Sequence, residues 1–292
     1  MKTQRKLGIT FKVALLNQSG EQLSDQAWIE YNDLLCPDHL KADFYCLLND
    51  YLAIQGFDLF HVSMLQETVK DKLSQSRANN QNNLICKGYK ANLLRNGVKF
   101  SFSNLSKNTR SQIRRSNKKL EQQFGEIKVI LPNNEKEKLA FFDKLSDFHI
   151  EQWGASTEGS GFNNPSFLQH QKSLLQETEL AQIIGVYAGD VPLGFCLNYL
   201  HNNNVYFYCS GVNHSLANNH VKPGYSMHVA LMEYYADKGF EAYDFLGGES
   251  RYKASLSDEE YNFLSVTIPL NTFKGKLYSL YHRLFRKHSQ LE

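Results

Sequence analysis

The sequence predicts an α/β fold, and three features between residues 182 and 253 carry that prediction. Runs rich in β-forming residues follow one another at 182–188, 191–200 and 205–210, parted by short turn signals. A Pro223–Gly224 turn then opens a stretch, 225–238, in which Met227, Ala230, Leu231 and Tyr234 recur at helical spacing. A short apolar run, 242–246, follows Gly239 and is too brief for a helix, so it reads as a buried strand ended by Gly247 and Gly248.

Taken in chain order, the first hundred residues say least. Residues 21–31 and 38–54 read as helices and 58–64 as a strand. Residues 74–83 are polar and read as a loop. Residues 83–94 and 98–102 read as strands joined through Arg95, Asn96 and Gly97, with Asn-Gly as the turn signal.

Residues 106–124 form a helix that Ser106 can cap and Gly125 can end. It carries six Lys or Arg between Lys107 and Lys119 and no acid. Arg110, Arg114 and Lys118 share one face, with Arg115 and Lys119 beside it. Like charges at that spacing repel by a few tenths of a kcal/mol per pair, and an anion would offset this. Two readings stand: a solvated face paired with acids elsewhere, or a site for an anionic acceptor formed by Arg110, Arg114 and Arg115.

Residues 139–153 give another helix, with His149 and Trp153 near its apolar face. His149 is a packed, hydrogen-bonded residue or part of the site; Trp153 packs in the core or stacks on a sugar ring. The Ser/Gly-rich loop 154–161 has the composition of a lid. After 182–188, Gly189 and Asp190 mark a hairpin to 191–200, and 201–204 is a turn cluster before 205–210. At the other end, 273–288 is a basic amphipathic tail. It docks on its own domain or touches an anionic membrane.

A helix N-terminus beside a strand end can hold a phosphate through backbone N–H groups. Lys253 and Arg251, just past the following strand, can reach the same place. That layout suits an enzyme gripping a phosphorylated acyl donor.

The same residues resemble a family. Asp244–Phe245, Gly247–Gly248, Glu249 and Tyr252–Lys253 look like the signature of the GNAT acyltransferases, and more closely of their CelD-like branch linked to polysaccharide biosynthesis. Arg110, Arg114 and Arg115 followed by Trp153 resemble that branch's Arg-rich and Trp-containing helices. The likeness runs over about 105–264, and the branch is similar to Fem-type aminoacyl transferases. It departs from the common GNAT phosphate loop, since residues 221–227 hold a single glycine.

The resemblance implies a mixed, mainly antiparallel twisted sheet flanked by helices, with a shortened N-terminal GNAT-like lobe at 1–104 and the acyltransferase domain at 105–292. It implies acetyl-CoA as acyl donor and no metal. Gly211, Val212, Gly224, Tyr225, Ser226 and Lys253 would hold the donor. Asp244 or Glu249 would be the base and Tyr252 a proton donor to the thiolate, while backbone N–H groups of 205–211 would polarise the carbonyl. Arg110, Arg114, Arg115, His149, Trp153 and Arg251 would bind an amino-sugar or glycan-precursor acceptor. Asp244 has a second reading, as a buried anchor for the Gly247–Gly248 turn. The rivals are a Fem-like transferase using aminoacyl-tRNA and a catalytically dead glycan- or nucleotide-sugar-binding module.

Composition sets bounds on all of this. The 292 residues are 42% apolar, ample for a core, and the net charge of +2 argues against a general nucleic-acid binder. Five cysteines with no Cys-x-x-Cys spacing support neither zinc nor a disulfide framework, and Cys196 and Cys209 read as reduced packing residues. No run reaches transmembrane length, and residues 11–16 are too short for a signal core, so a cytoplasmic location is expected.

Overall fold

The computed structural model describes residues 2–6, 8–74, 81–156 and 159–286. The chain forms two compact units, one of Met1–Lys87 with Tyr261–Glu292 and one of Gly88–Glu260. This differs from a linear division after residue 104: the last thirty-odd residues return to the N-terminal unit.

In the first unit, β1 (Lys2–Lys6) pairs antiparallel with β2 (Ile9–Leu15), and β2 runs parallel to β3 (Leu59–Gln66). The last strand, β12 (Glu259–Pro269), pairs antiparallel with β3. Helix α1 (Lys41–Ile54) buries Tyr45 and Leu52 with Phe60, Val62 and Ile268; α2 (Lys70–Ser74) adds Leu73. The C-terminal helix α8 (Phe273–Arg286) places Tyr278 against Phe11, Val13 and Leu59. Asp58 ties the parts together: its carboxylate accepts from the Lys12 N–H (2.9 Å) and the Thr272 hydroxyl (3.0 Å).

One expectation fails in this unit, and a second lies mostly outside the described residues. Residues 21–31 make turns and no helix, because Trp28 and Tyr31 sit at φ 41° and 53°, in the left-handed region. Of the polar stretch 74–83, residues 75–80 lie outside the described residues, and its end already belongs to β4 (Gln81–Asn92).

The second unit is a mixed, mainly antiparallel sheet flanked by helices. Beyond β4, a small hairpin of β5 (Leu94–Arg95) and β6 (Val98–Lys99) turns at Asn96 and Gly97, both at positive φ as a two-residue hairpin turn requires. Then come α3 (Lys107–Phe124), β7 (Ile127–Ile130), α4 (Glu135–Trp153) and α5 (Pro165–Glu177). β8 (Ala181–Ala188), β9 (Val191–His201), β10 (Asn204–Val212), α6 (Pro223–Asp237), β11 (Ala242–Gly247) and α7 (Arg251–Leu256) complete it. The strand order is β4-β11-β10-β9-β8-β7, and β10–β11 is its parallel pair.

Each face of this sheet has its own core. Ile113 and Leu120 of α3 pack with Met227, Leu231 and Tyr235 of α6 and with Tyr243 and Phe245 of β11. On the other face Phe142 and Leu145 of α4 and Phe167 and Leu175 of α5 pack on Ile183, Phe195 and Leu197. Cys196 and Cys209 are buried thiols on opposite faces, since the register sets Cys209 against Leu197. Burial raises both thiols above their ordinary pKa, which suits inert packing residues.

Candidate active site

The site begins where two strands part. β10 and β11 pair at Asn204–Ala242, Val205–Tyr243 and Tyr206–Asp244 and no further. Beyond that point β10 shifts register between Phe207 and Cys209, and β11 between Asp244 and Gly247, with Leu246 at φ 60°. The Asn213 N–H donates to the Leu193 carbonyl of β9 (2.9 Å). Strand alternation therefore turns the Ser210 and Val212 N–H groups away from β9, toward the open edge.

Helix α6 starts beside that edge. Val212 is buried, and a side chain at Gly224 would meet its methyls at 3.8 Å, an ordinary contact. Pro223 at the first helical position has no N–H, and no side chain caps the helix. The Gly224 and Tyr225 N–H groups thus stand at the positive end of a 15-residue helix. Its entry is fixed from behind: Ser116 of α3 accepts the Lys222 N–H (2.9 Å) and shares a hydrogen bond with Ser226 (2.9 Å). Ser226 is fully buried there, so its hydroxyl serves the α3–α6 contact and is not exposed to a ligand.

Gly211 also has a packing reason to be glycine. A Cβ there would collide with the Leu145 carbonyl and come within 2.8 Å of the Phe148 Cβ, so α4 lies directly on β10. The α4 and α6 faces therefore meet at the end of β10, with Gly211 against one helix and Val212 against the other.

From β11 the chain turns into α7, which Ser250 caps. Lys253 reaches back and donates from Nζ to the Gly247 carbonyl (2.5 Å). Tyr252 lies over His228 of α6 at 5.1 Å, near parallel, and edge-on to Tyr225 at 6.4 Å. Burial raises the Tyr252 phenol well above its ordinary pKa, so it stays protonated at neutral pH. His228 is buried among Phe207, Tyr243, Phe245 and Tyr252, with Nδ1 3.3 Å from the Tyr243 hydroxyl. Burial, and next the charge of Lys253, pull its pKa down to about 3, so the ring is neutral.

Asp244 does not share this face. Tyr243 and Phe245 point to the α6 core, so Asp244 between them points to the other side. It is 2% exposed, and Oδ1 accepts the Leu246 N–H (2.8 Å), which holds the β11 bulge before Gly247. Glu249 and Arg251 are exposed at the turn into α7.

The basic helix divides in the same residue-by-residue way. Arg110 donates from Nη1 to the Ser103 and Leu105 carbonyls (2.7 and 2.8 Å) and so pins the loop before α3. Arg114 and Arg115 are exposed, with Arg114 over the Phe102 ring at 5.8 Å. Among the described residues, no ion pair involves Lys107, Arg114, Arg115, Lys118 or Lys119.

His149 lies on the α4 face, buried, with Nδ1 2.9 Å from the Ser160 hydroxyl and its ring against Phe162. Burial lowers its pKa to about 4. Because Ser160 and Gly161 are buried beneath it, that end of the 154–161 loop is anchored; residues 157–158 lie outside the described residues. Trp153 is 46% exposed at the end of α4.

Sequence reasoning missed His228 and Ser116. Both lie inside helices whose apolar periodicity explains their positions, and no spacing marks them. The missing α6 cap was readable, since Lys222 precedes Pro223 where a Ser, Thr, Asn or Asp would cap. Among the described residues no three His, Cys, Asp or Glu side chains gather as a metal site would require.

Residues 107–254, just over half the chain, match the model of the Acetyltransferase (GNAT) domain. No curated protein matches the chain. Among solved structures it is similar to FemX, at 10% identity and a TM-score of 0.55, over 95% of this chain and 85% of that one. It is similar to the C-terminal domain of a candidate lysylphosphatidylglycerol synthetase from Agrobacterium fabrum, at 8% identity and TM-score 0.55, over 86% and 79%. L-PGS from Bacillus licheniformis matches at 9% and 0.53, over 80% and 75%. At these identities the likeness is one of fold.

Proposed function

The chain belongs to the GNAT acetyltransferase-domain family and is an acyltransferase, and from that premise we propose that it moves an acetyl group from acetyl-CoA to an amine of a sugar or glycan precursor. One observation carries the donor half of this reading: the uncapped N-terminus of α6 stands beside the parting of β10 and β11. Gly224 and Tyr225 would offer N–H groups to the donor's pyrophosphate, and Lys253 and Arg251 would reach it from α7, whose Tyr252 ring meets Tyr225. The Ser210 and Val212 N–H groups point into the gap and polarise the thioester carbonyl. The amine attacks that carbon and the C–S bond breaks. The thiolate takes the proton of the Tyr252 phenol, and the amine loses its proton to Glu249, directly or through water. Asp244, with Oδ1 engaged at Leu246, acts chiefly by shaping the strand end. The CelD-like residue pattern supports the sugar acceptor, and Trp153 offers an exposed ring for it.

The test uses acetyl-CoA as the probe. It should raise the melting temperature of wild type by mass action. Gly224→Asp fits the available space but puts a carboxylate where the phosphate would lie. It should hold or raise Tm while abolishing the acetyl-CoA shift. An undiminished shift in the variant would refute the assignment.

The unpaired basic row of α3 supports a second reading, transfer from aminoacyl-tRNA. In that case binding of aminoacyl-tRNA should fall steeply with salt. Replacing Arg114 and Arg115 by Gln should lower both affinity and slope. Under the first reading the same pair weakens an anionic acceptor and leaves tRNA unbound.

A further inference from the structure

The strongest observation outside the acyltransferase site lies in the first unit, at the groove between α8 and the β1–β2 edge. Residues 2–15 and 273–288 together hold nine Lys or Arg and no Asp or Glu, although the whole chain is only +2. The rest of the chain is therefore net acidic, and these two segments concentrate its positive charge. The fold brings the described parts of both, 2–6 with 8–15 and 273–286, together. Tyr278 packs edge-on against Phe11 (5.5 Å), Lys274 donates to the Thr10 carbonyl (2.7 Å), and Gly275 fits beneath the Leu270 carbonyl where a Cβ would collide.

Docking uses one side of α8. The other leaves Leu280 51% and Leu284 59% exposed. They border an apolar groove of about 280 Å³, lined also by Ile9, Phe11, Leu277 and Tyr281. Lys2, Lys276 and Arg283 are exposed on the same segments, and the pairing of Lys2 with Val13 puts Lys2 on the strand face that carries Phe11.

We propose that this groove and its basic rim are a docking surface for an anionic phospholipid bilayer. Leu280 and Leu284 enter the boundary between headgroups and acyl chains, and the lysines and arginines meet the phosphates. The charge pattern selects this occupant. An apolar stripe with cations beside it and no acid within either segment matches a negatively charged, oily surface. A second exposed stripe, Phe44, Leu47, Tyr51 and Ile54 on α1, is interleaved with Asp43 and Asp50 and lacks that match. The inference is independent of the donor and acceptor assigned above.

The test is co-sedimentation of the full chain with phosphatidylglycerol–phosphatidylcholine vesicles and with phosphatidylcholine vesicles alone. The anionic vesicles should bind it, the neutral ones at least about tenfold less, and added salt should release it. Leu280→Glu with Leu284→Glu should cut binding by about tenfold or more at unchanged Tm, since both side chains are already exposed. Lys276→Gln with Lys2→Gln should weaken binding and flatten its salt dependence, which keeps the test valid should the leucine pair fail to fold. Equal binding to both vesicle types, binding that neither pair alters, or no vesicle binding would overturn the proposal. So would a dimer in sedimentation that Leu284→Glu dissolves, since a second copy would then cover the groove.

Discussion

Helices α4 and α6 cover opposite faces of one sheet, and their N-termini are treated in opposite ways. α4 answers its own positive end. The Asn134 side chain accepts the Glu137 N–H (3.0 Å), and Glu135 and Glu137 stand in the first turn. Hydrogen bonds from Asn133, first from its backbone N–H (2.8 Å), hold the Glu137 carboxyl below its ordinary pKa. α6 begins with Lys222 and Pro223, has no acid in its first turn, and receives no side-chain cap. The other helix starts of this unit, at Ser106, Asn164 and Ser250, resemble α4 in being capped. The contrast teaches where to look for a ligand: in a unit whose other α-helices are capped by a side chain, α6 is left open toward the gap between β10 and β11.

The comparison breaks most violently at Gly211, where both faces meet. Gly211→Val forces a side chain into the α4 backbone and should cost about 3 kcal/mol, the upper range for overpacking, measured by urea unfolding. A loss under about 1 kcal/mol would mean that α4 can lift from β10.

Each face also buries one neutral histidine, and acid should separate them. Their folded pKa values lie below the ordinary 6.5, at about 4 for His149 and about 3 for His228. The unfolded chain therefore binds protons that the native chain refuses. Stability from both is complete above pH 6.5 and declines as pH falls, through about 4 for His149 and about 3 for His228. His149→Gln should reduce the slope of stability with pH by about 1.4 kcal/mol per unit between 6.5 and 4. The remaining His228 slope should persist to lower pH. An unaltered slope would show that His149 is protonated in the fold.

Smaller effects sharpen the contrast at the helix ends themselves. Asn134→Ala should cost about 1 kcal/mol, the usual value of a cap, read from thermal unfolding. At α6, which has no cap to lose, Gly224→Asp should change stability by about +0.3 to +1 kcal/mol.

Much of this architecture was legible in the sequence. Alternation and turn residues located β8, β9 and β10, and helical periodicity with Pro223 located α6, each to within about two residues. Asn96–Gly97 was read as a turn and makes one. These segments are locally determined, since the pattern buried in the fold is the pattern written in the chain. What was missed depends on distant partners. α7 is six residues long and held by Ser250 and the Lys253–Gly247 contact, so it has no periodicity to detect. β12 belongs with β3, some two hundred residues earlier, and the division into units follows that pairing. At the site, Tyr252 and Tyr225 were singled out from sequence, and their rings meet edge-on between α7 and α6. Asp244 and Lys253 look alike in sequence as neighbours of one turn, yet strand alternation sends the aspartate to the other face. The three arginines of α3 were equivalent by spacing, and the Ser103 and Leu105 carbonyls single out Arg110.

The central claim is that the open end of α6 receives the phosphates of the acyl donor, and amide NMR tests it most directly. On titration with CoA, the account predicts that the Gly224 and Tyr225 N–H resonances shift most. The capped Glu137 N–H of α4 should stay in place. Saturable CoA binding that leaves Gly224 and Tyr225 unmoved would contradict it.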